Sequence, residues 1–352
     1  MPRQYETVEI AIENLPESIQ STIESIGVYD IARASFLTTQ LIDMDQDGEM
    51  DLLIFQPELP ANGSKTFHLL AQAEKPEATD YCYSRFVPER IDDYTWENDK
   101  VAFRTYGPAA QALVEAGKKG GIISSGIDCW LKKVDYPIID KWYKESFEGK
   151  SYHEDHGEGL DNYHVGPSRG SGGLAVKGEG RYFVSKNFTQ HTTISNGPVR
   201  TVFRLDYEDW DGPNGKIKEH KIISLDYGSN LSKIEASIQG VDKISAGISL
   251  QENDGTVKNF NNLIIFKQNH FDAILSNALL TPKRHYDGYH IHNPGIKDNN
   301  HVFLDLNILE GSLVYYTGFY WSESNQFADH ADWEAYLNDL AIKIENPIQI
   351  TY

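Results

Sequence analysis

The chain has 352 residues, of which 40% are hydrophobic and 12% aromatic, a composition that excludes an intrinsically disordered protein. Asp and Glu exceed Lys and Arg by 52 to 32, so the formal net charge of −20 argues against nucleic acid and anionic membranes as partners. No run approaches the roughly 18 apolar residues of a membrane span, and two cysteines, Cys82 and Cys129, favour buried free thiols over a disulfide framework.

Period-two alternation of apolar and polar residues predicts eight strands. In chain order these are 8–13, 200–207, 221–227, 231–240, 262–268, 301–308, 312–321 and 347–352. Runs rich in Gly, Asn, Asp and Pro mark turns between several of them. Many strands at short spacing predict an all-β protein, a large antiparallel β-sandwich with a few short helices, and no linker divides residues 1–352 into more than one domain.

Helical patterns are few. The segment 107–117 begins with a proline near its first turn and ends at a glycine, which predicts a helix. The segment 329–341 places Trp333 and Leu337 at helical spacing, and we interpret that side as a packing face. Between these helices, 143–180 is rich in glycine and lacks periodicity, which predicts a long ordered loop system of the kind that often carries function.

The segment 42–55 contains D-x-D-x-D-G, the first half of a calcium-loop pattern, at Asp43, Asp45 and Asp47. The twelfth position is Ile54, where such a loop needs a bidentate glutamate, and a strand pattern follows instead of a helix. We therefore interpret this segment as a polar turn between two strands.

The segment 89–108 is dense in charged residues. If 101–106 is a strand, Arg104 and Tyr106 share one face, where a guanidinium can present a flat fork to a carboxylate. The alternative is a buried network of arginine and carboxylates that braces a loop. The tryptophans downstream, Trp130 and Trp142, would suit stacking on a sugar ring only if they were exposed.

The stretch YHEDHGEGLDNYHVG, 152–166, holds three histidines, four carboxylates and two tyrosines. Four of its side chains are candidate ligands for a divalent cation, namely His153, His156, Asp161 and His164. The same histidines are equally candidates for acid and base, because the imidazole pKa lies close to neutrality. Both alternatives stay open from the sequence. The glycine run that follows lacks P-loop spacing, which excludes nucleotide binding.

A second histidine cluster occurs in HYDGYHIHN, 285–293. Its alternation places His290 and His292 on one face of a strand. We interpret this cluster as a solvated hairpin in preference to a site.

Three long segments together resemble a known family. They are RFVPERIDDYTWENDKVAFRTYGPA from Arg85, GIDCWLKK from Gly126 with the later DKWY, and YHEDHGEGLDNYHVGPSRGSGGLAV from Tyr152, and a late GFYWSE pattern adds to them. They resemble a former domain-of-unknown-function family found in bacterial polysaccharide-utilisation gene clusters, which includes the ulvan oligosaccharide dehydratase. The likeness spans roughly residues 5–340.

The resemblance implies a β-sandwich of the mutarotase-like or polysaccharide-lyase-like kind. It also implies a carbon–oxygen lyase that eliminates water from the non-reducing-end uronic acid of an oligosaccharide. The resemblance places the mature chain in the periplasm, whereas the opening MPRQYETVEI has no apolar h-region and predicts a cytoplasmic protein if the chain is complete.

Such chemistry needs cations or hydrogen-bond donors at the uronate and two proton carriers. The candidate catalytic residues are His153, His156, Tyr163 and His164, with Asp155 or Glu158 orienting an imidazole. The candidate substrate-binding residues are Arg90, Trp96, Glu97, Asn98, Arg104, Trp130, Lys177 and Trp321.

Three alternatives share this inventory. An exo-acting lyase would expel a sugar in place of water. A glycoside hydrolase would need a carboxylate pair across the bond, for which Asp92 and Glu97 are candidates. A carbohydrate-binding protein without catalysis would use Trp96, Trp130 and Trp321 as stacking platforms.

Overall fold

The computed structural model describes residues 1–72 and 78–352. Strands and isolated bridges account for 45% of the described residues, and α-helices with short 3-10 turns account for 15%. The strands are β1 Val8–Ala11, β2 Ile26–Asp30, β3 Ser35–Phe36, β4 Thr39–Ile42, β5 Leu52–Phe55, β6 Phe67–Ala71, β7 Tyr83–Val87, β8 Asp93–Glu97, β9 Ala102–Tyr106, β10 Asp128–Lys132, β11 Gly159–Leu160, β12 Ser171–Gly178, β13 Arg181–Phe183, β14 Phe188–Ser195, β15 Arg200–Tyr207, β16 Trp210–Gly212, β17 Gly215–Asp226, β18 Leu231–Gln239, β19 Lys243–Ser249, β20 Thr256–Asn259, β21 Leu263–His270, β22 Ala273–Leu280, β23 Tyr286–His292, β24 His301–Asn307 and β25 Ser312–Trp321. The α-helices are α1 Glu17–Gln20, α2 Pro108–Glu115, α3 Ile139–Phe147 and α4 His330–Glu345.

The described strands form five sheets. Two three-stranded sheets, β1-β5-β4 and β3-β2-β6, make up the N-terminal part. Sheet A has the order β11-β10-β9-β8-β7, and sheet B has the order β13-β12-β19-β24-β23. The nine-stranded sheet has the order β14-β15-β17-β18-β25-β22-β21-β20, with β16 paired to β17. Paired strands within these sheets are antiparallel, as short turns between strands allow.

The principal hydrophobic core lies between sheet A, sheet B and the nine-stranded sheet. Each sheet contributes alternate side chains, such as Phe103 from β9, Leu304 from β24 and Phe203 from β15. The N-terminal sheets surround a separate cluster that includes Val28 and Leu53. The three larger sheets therefore share one interior, and the N-terminal sheets have their own.

The prediction of a simple all-β sandwich is wrong. A sandwich has two sheets, whereas the chain distributes its strands over five and buries helical faces among them. Helix α3 places Ile139, Trp142 and Tyr143 at helical spacing and packs them in a cluster with Trp130 of sheet A. An alternation of apolar and polar residues predicts strands, but it does not predict how many sheets these strands form.

Most predicted elements are confirmed within the described residues. The strands at 200–207 and 312–321 coincide with β15 and β25, and the two predicted helices correspond to α2 and α4. The strand predicted at 347–352 is wrong, because that segment pairs with nothing. The loop predicted at 143–180 is also wrong in part, because it contains the end of α3, β11 and β12.

Cys82 and Cys129 are free and buried, as predicted. The segment after β4 is the predicted polar turn, which leads directly into β5. No helix in the described ranges has both the length and the apolar character to cross a membrane.

Candidate functional site

A cleft of about 530 Å³ opens beside sheet A. The turn after β7, the strand β9 and the segment 163–167 meet there. Its polar lining is Arg90, Asp93, Arg104, Tyr106, Tyr163 and His164. The two segments that the sequence marks as chemical, 89–108 and 152–166, therefore share one cleft.

Arg104 lies at the base of the cleft and is surrounded by carboxylates. Its Nη2 donates to Asp128 Oδ2 at 2.5 Å and to Asp161 Oδ2 at 2.8 Å. Its Nη1 lies 3.6 Å from Asp93 Oδ2 and donates to the Tyr152 hydroxyl at 3.3 Å. The alternative of a buried arginine–carboxylate network is therefore the one found. Such a guanidinium holds the neighbouring side chains in position, and the carboxylates around it already compensate its charge.

Burial changes the ionisation of these carboxyl groups. It raises the pKa of Asp93 to about 6, although Arg104 acts in the opposite direction. It also raises the pKa of Asp161 well above the usual range, again against the effect of Arg104. Tyr143 donates to Asp93 Oδ2 at 3.1 Å, which favours the ionised form of that carboxyl. The base of the cleft therefore contains carboxyl groups that hold protons more tightly than exposed ones do.

Arg90 is the cation in the cleft that has no carboxylate partner among the described residues. It is half-buried, and its Nε donates to the Tyr152 hydroxyl at 3.1 Å. A guanidinium in this state keeps most of its donors for an anionic ligand. Of the two predicted arginines, Arg90 is the one with donors left for an anionic ligand.

The backbone after Arg90 is strained. Ile91 and Asp92 have φ values of 49° and 66°, and a left-handed conformation is unusual for a β-branched residue. Asp92 Oδ2 accepts from Ala109 N at 2.9 Å in the first turn of α2. A Cβ at Gly107 would lie 2.2 Å from the Asp92 carbonyl oxygen, so the turn also needs that glycine. Helix α2 therefore holds the turn that aims Arg90.

Tyr163 and His164 supply the titratable groups of the cleft wall. Tyr163 lines the cleft, but its hydroxyl is buried and has no hydrogen-bond partner among the described residues, and burial raises the pKa of this hydroxyl well above the usual value. His164 is exposed, and its Nε2 lies 2.8 Å from Asp298 Oδ1 in the loop after β23. Because the carboxylate holds one ring nitrogen, the other ring nitrogen is left for a ligand.

The other predicted catalytic residues lie outside the cleft. The Nδ1 of exposed His153 lies 2.5 Å from the Asp161 carbonyl oxygen. The Nε2 of His156 lies 3.0 Å from the Ser151 carbonyl oxygen, in a small separate hollow beside α3. Asp155 pairs with Lys133 at 2.5 Å and accepts from two glycine amides, so it braces the loop.

The predicted cation ligands do not converge. His153 Nδ1 lies 3.5 Å from Asp161 Oδ2, but His156 and His164 are held elsewhere by Ser151 and Asp298. In the described part of the chain, one acidic or histidine group has three ligand atoms within 4.8 Å of one another: Asp43, Asp45 and Asp51. The four predicted ligands at 152–166 therefore do not form a common cation site.

None of the three tryptophans proposed as sugar platforms presents a face to solvent. Trp96 is fully buried and donates from Nε1 to Ser232 Oγ at 2.9 Å. Trp130 is fully buried and stacks on Trp142, with ring centroids 5.5 Å apart. Trp321 is 6% exposed within the principal core. The structure places these rings in packing positions.

Glu97, Asn98 and Lys177 also lie away from the cleft lining. Glu97 is fully buried and accepts from Ile139 N at 2.9 Å, at the start of α3. Asn98 is fully buried and accepts from Val101 N at 3.0 Å, which closes the turn between β8 and β9. Lys177 is exposed on sheet B.

Sequence reasoning missed Asp298 of this site. It noted Asp93, Asp128 and Tyr152 within their segments, with Tyr152 as a possible proton donor, but did not place them among the candidate site residues. The pairing of Asp298 with His164 joins positions 134 residues apart, and no local pattern reports such a pair. Asp93 and Asp128 lie on strands β8 and β10, on either side of Arg104 in β9, so the order of sheet A was the missing information.

Comparison with known proteins gives a family match over almost the whole chain. The family described as "Domain of unknown function (DUF4861)" matches residues 1–350. The "Uncharacterized protein P7" of Formosa agariphila is 45% identical over 357 residues, which cover 100% of this chain and 90% of that protein.

Solved structures are more distant. A protein in glycosyl hydrolase family 38 from Enterococcus faecalis aligns with a TM-score of 0.49 at 8% identity, over 96% of this chain and 44% of that one. An α-mannosidase from Enterococcus faecalis aligns with a TM-score of 0.40 at 9% identity, over 98% of this chain and 44% of that one. This chain thus spans less than half the length of either solved protein.

Proposed function

The chain belongs to the DUF4861 family, and from that premise we propose that it is an enzyme acting on acidic oligosaccharides. In this proposal it is a carbon–oxygen lyase, a dehydratase for the non-reducing-end uronic acid of a substrate such as an ulvan fragment. Hydroxide leaves from C4 and a proton from C5, so that water is released and a 4,5-unsaturated uronyl end remains.

The observation that carries the proposal is the meeting of Arg90, Tyr163 and His164 in one cleft. A C5 proton is weakly acidic while the adjacent carboxylate keeps its full charge. A cation at that carboxylate stabilises the enolate-like intermediate, and preorganised charge of this kind is usually the largest catalytic contribution. In the proposal Arg90 supplies this cation, and helix α2 holds the turn that follows Arg90 in position.

Tyr163 and His164 are the two proton carriers in the proposal. The free ring nitrogen of His164 can accept or donate a proton while Asp298 stabilises the imidazolium. The Tyr163 hydroxyl is buried and has no hydrogen-bond partner among the described residues, and in the proposal a substrate oxygen that enters the cleft becomes its partner. One group takes the C5 proton, and the other protonates the departing C4 oxygen.

Ultraviolet absorbance of the conjugated uronyl product tests the reaction on uronic-acid oligosaccharides. We expect His164→Gln and Tyr163→Phe each to lower kcat by about 10²–10⁴-fold, the usual contribution of one proton transfer. The matched control is His156→Gln, which changes an exposed histidine outside the cleft and should keep wild-type turnover. Wild-type turnover in both cleft variants would disprove the assignment.

Product mass separates this proposal from its two enzymatic relatives. A dehydratase product keeps every sugar and loses one water, whereas an exo-lyase product is one sugar shorter. A hydrolase is favoured by one specific observation, the Asp93 carboxyl with its pKa of about 6 at the cleft, which is suited to a general acid. A hydrolase would release new reducing ends without the absorbance change.

The candidate hydrolase pair from the sequence does not support that alternative. Asp92 holds the start of α2 and Glu97 holds the start of α3, and neither carboxylate is free to act on a glycosidic bond. The non-catalytic binding alternative lacks its stacking platforms, because the proposed tryptophans are buried.

A further inference from the structure

Sheet B carries a hydrogen-bonded chain of side chains on the face opposite the principal core. The Tyr182 hydroxyl lies 2.6 Å from His290 Nε2, and His290 Nδ1 lies 2.9 Å from Asp305 Oδ2. Ser245 Oγ donates to Asp305 Oδ1 at 2.6 Å. Leu304, next to Asp305 on β24, points into the core, so the chain of side chains lies on the other face. We call Tyr182, His290 and Asp305 the relay.

The direction of each hydrogen bond in the relay follows from the carboxylate. Asp305 accepts, so His290 Nδ1 carries a proton and donates. His290 Nε2 is then the acceptor, and the Tyr182 hydroxyl donates to it. This order is the one in which a carboxylate orients an imidazole that activates a hydroxyl. The Tyr182 oxygen keeps its own lone pairs for an external donor.

The relay crosses a concave surface. Tyr182 belongs to β13 and His290 to β23, the two edge strands of sheet B, with three strands between them. Edge strands of a flat five-stranded sheet lie roughly 19 Å apart, more than these two side chains span, so sheet B is curved. The Tyr182 ring stacks on buried Phe303, with centroids 4.6 Å apart and an interplanar angle of 15°. The phenol is therefore fixed across the concavity.

A cation lies beside the phenol. Lys177 is directly opposite Tyr182 in the pairing of β12 with β13, so both side chains lie on the same face. Lys177 is exposed and forms no ion pair with the residues that the structure describes. The His292 ring lies 4.8 Å from the Tyr182 ring and adds a second nitrogen-bearing group. A positive charge next to an activated hydroxyl suits a ligand that has both an anionic group and a hydroxyl.

We propose that this concave face is a second ligand site, separate from the cleft, for a carboxylate-bearing saccharide. The carboxylate pairs with Lys177, and a sugar hydroxyl donates to the Tyr182 oxygen. Tyr182 keeps its own proton, which it donates to His290 Nε2, so that binding forms an ion pair and hydrogen bonds and changes no covalent bond. The site does not depend on the reaction proposed for the cleft.

Histidine-selective ¹⁵N NMR of the full chain tests the proposal, with methyl glucuronoside as the probe and methyl glucoside as the uncharged comparison. We expect the imidazole signals of His290 and His292 to shift with the acidic sugar alone. Tyr182→Phe keeps the ring on Phe303 and should abolish the shift at His290. Lys177→Gln should weaken binding several-fold, while Lys243→Gln, a matched change on β19 of the same sheet, should not.

Three results would overturn the proposal. One is the absence of any shift at His290 and His292. Another is a shift that survives both Tyr182→Phe and Lys177→Gln. The third is a shift that His164→Gln abolishes, because the sugar would then occupy the cleft. The cleft reaction is measured separately by its absorbance, so failure of one proposal leaves the result for the other intact.

Discussion

At the scale of single residues, Arg104 holds three carboxylates together at the base of the cleft, while burial decides the direction in which the pKa values of Asp93 and Asp161 shift. The alternation of 101–106 correctly places Arg104 and Tyr106 on one side, and the Tyr106 hydroxyl donates to Asp128 Oδ2 at 3.2 Å beside the guanidinium. Sequence also brings Tyr163 and His164 forward as candidates. It does not reveal that Tyr163 lacks a hydrogen-bond partner, because satisfaction depends on neighbours distant in the chain.

The raised pKa of Asp93 predicts a pH dependence of stability. Its folded-state pKa is about 6, above the usual value near 4, so its contribution is fully present below about pH 4 and is lost as pH rises through about 6. Asp93→Asn should flatten this part of the profile by at most about 1.4 kcal/mol per pH unit. Urea denaturation of both proteins between these pH values measures it, and parallel profiles would contradict it.

At the scale of elements, helix α3 depends on a buried ion pair. Glu97 Oε1 accepts from Ile138 N and Ile139 N, both at 2.9 Å, and its Oε2 lies 2.9 Å from Lys132 Nζ. Both charged side chains are almost fully inaccessible to solvent. The carboxylate therefore satisfies the first amides of the helix and balances a buried ammonium.

Glu97→Gln should cost about 3–5 kcal/mol in the free energy of unfolding, because it leaves the Lys132 charge buried without compensation. Glu89→Gln is the matched control, since Glu89 pairs with Arg85 at the surface and its loss should cost less than about 1 kcal/mol. Chemical denaturation measures both. Equal costs would show that the buried pair is no stronger than the exposed one.

The elements that the sequence predicts correctly depend on local patterns, whereas the elements that it misses depend on contacts with distant segments. Strands β15 and β25 carry a long alternating pattern that local reading detects. Helix α3 was missed, because its first turn follows Pro137 and is completed by Glu97, about forty residues earlier in the chain. The run 347–352 has the alternation of a strand but pairs with no strand in the described part of the chain. Capping by a distant residue forms helix α3, and the lack of a pairing strand among the described residues leaves 347–352 outside the sheets.

At the scale of the whole molecule, hydrogen bonds of buried side chains and a small apolar cluster join the N-terminal sheets to the nine-stranded sheet. Buried Gln40 in β4 donates to the Arg200 carbonyl oxygen at 2.8 Å and accepts from Val199 N and Arg200 N. Arg200 in turn pairs with Glu9 of β1 at 2.5 Å. A small cluster that includes Ile54 and Val202 adds apolar contact. The single domain predicted for residues 1–352 depends on these links.

Gln40→Ala should remove these hydrogen bonds at a cost of about 1–3 kcal/mol, because it leaves buried backbone groups without partners. Hydrogen exchange followed by mass spectrometry should show faster exchange in β4 and β5 than in β15. Gln111→Ala, which loses an exposed contact with Glu115 on α2, is the control and should leave exchange unchanged. Uniform acceleration over all sheets would instead show one cooperative unit.

The turn at Ile91 and Asp92 has a consequence for how this protein can change. Left-handed conformations at two successive non-glycine residues each cost about 1–3 kcal/mol of folding free energy. The substitution Ile91→Gly would remove part of that cost and increase the stability of the fold. The same substitution would give the backbone next to Arg90 more conformational freedom, so the guanidinium would no longer be held in one position. A search for heat-resistant variants would therefore reward this replacement, and a search for catalysts would reject it.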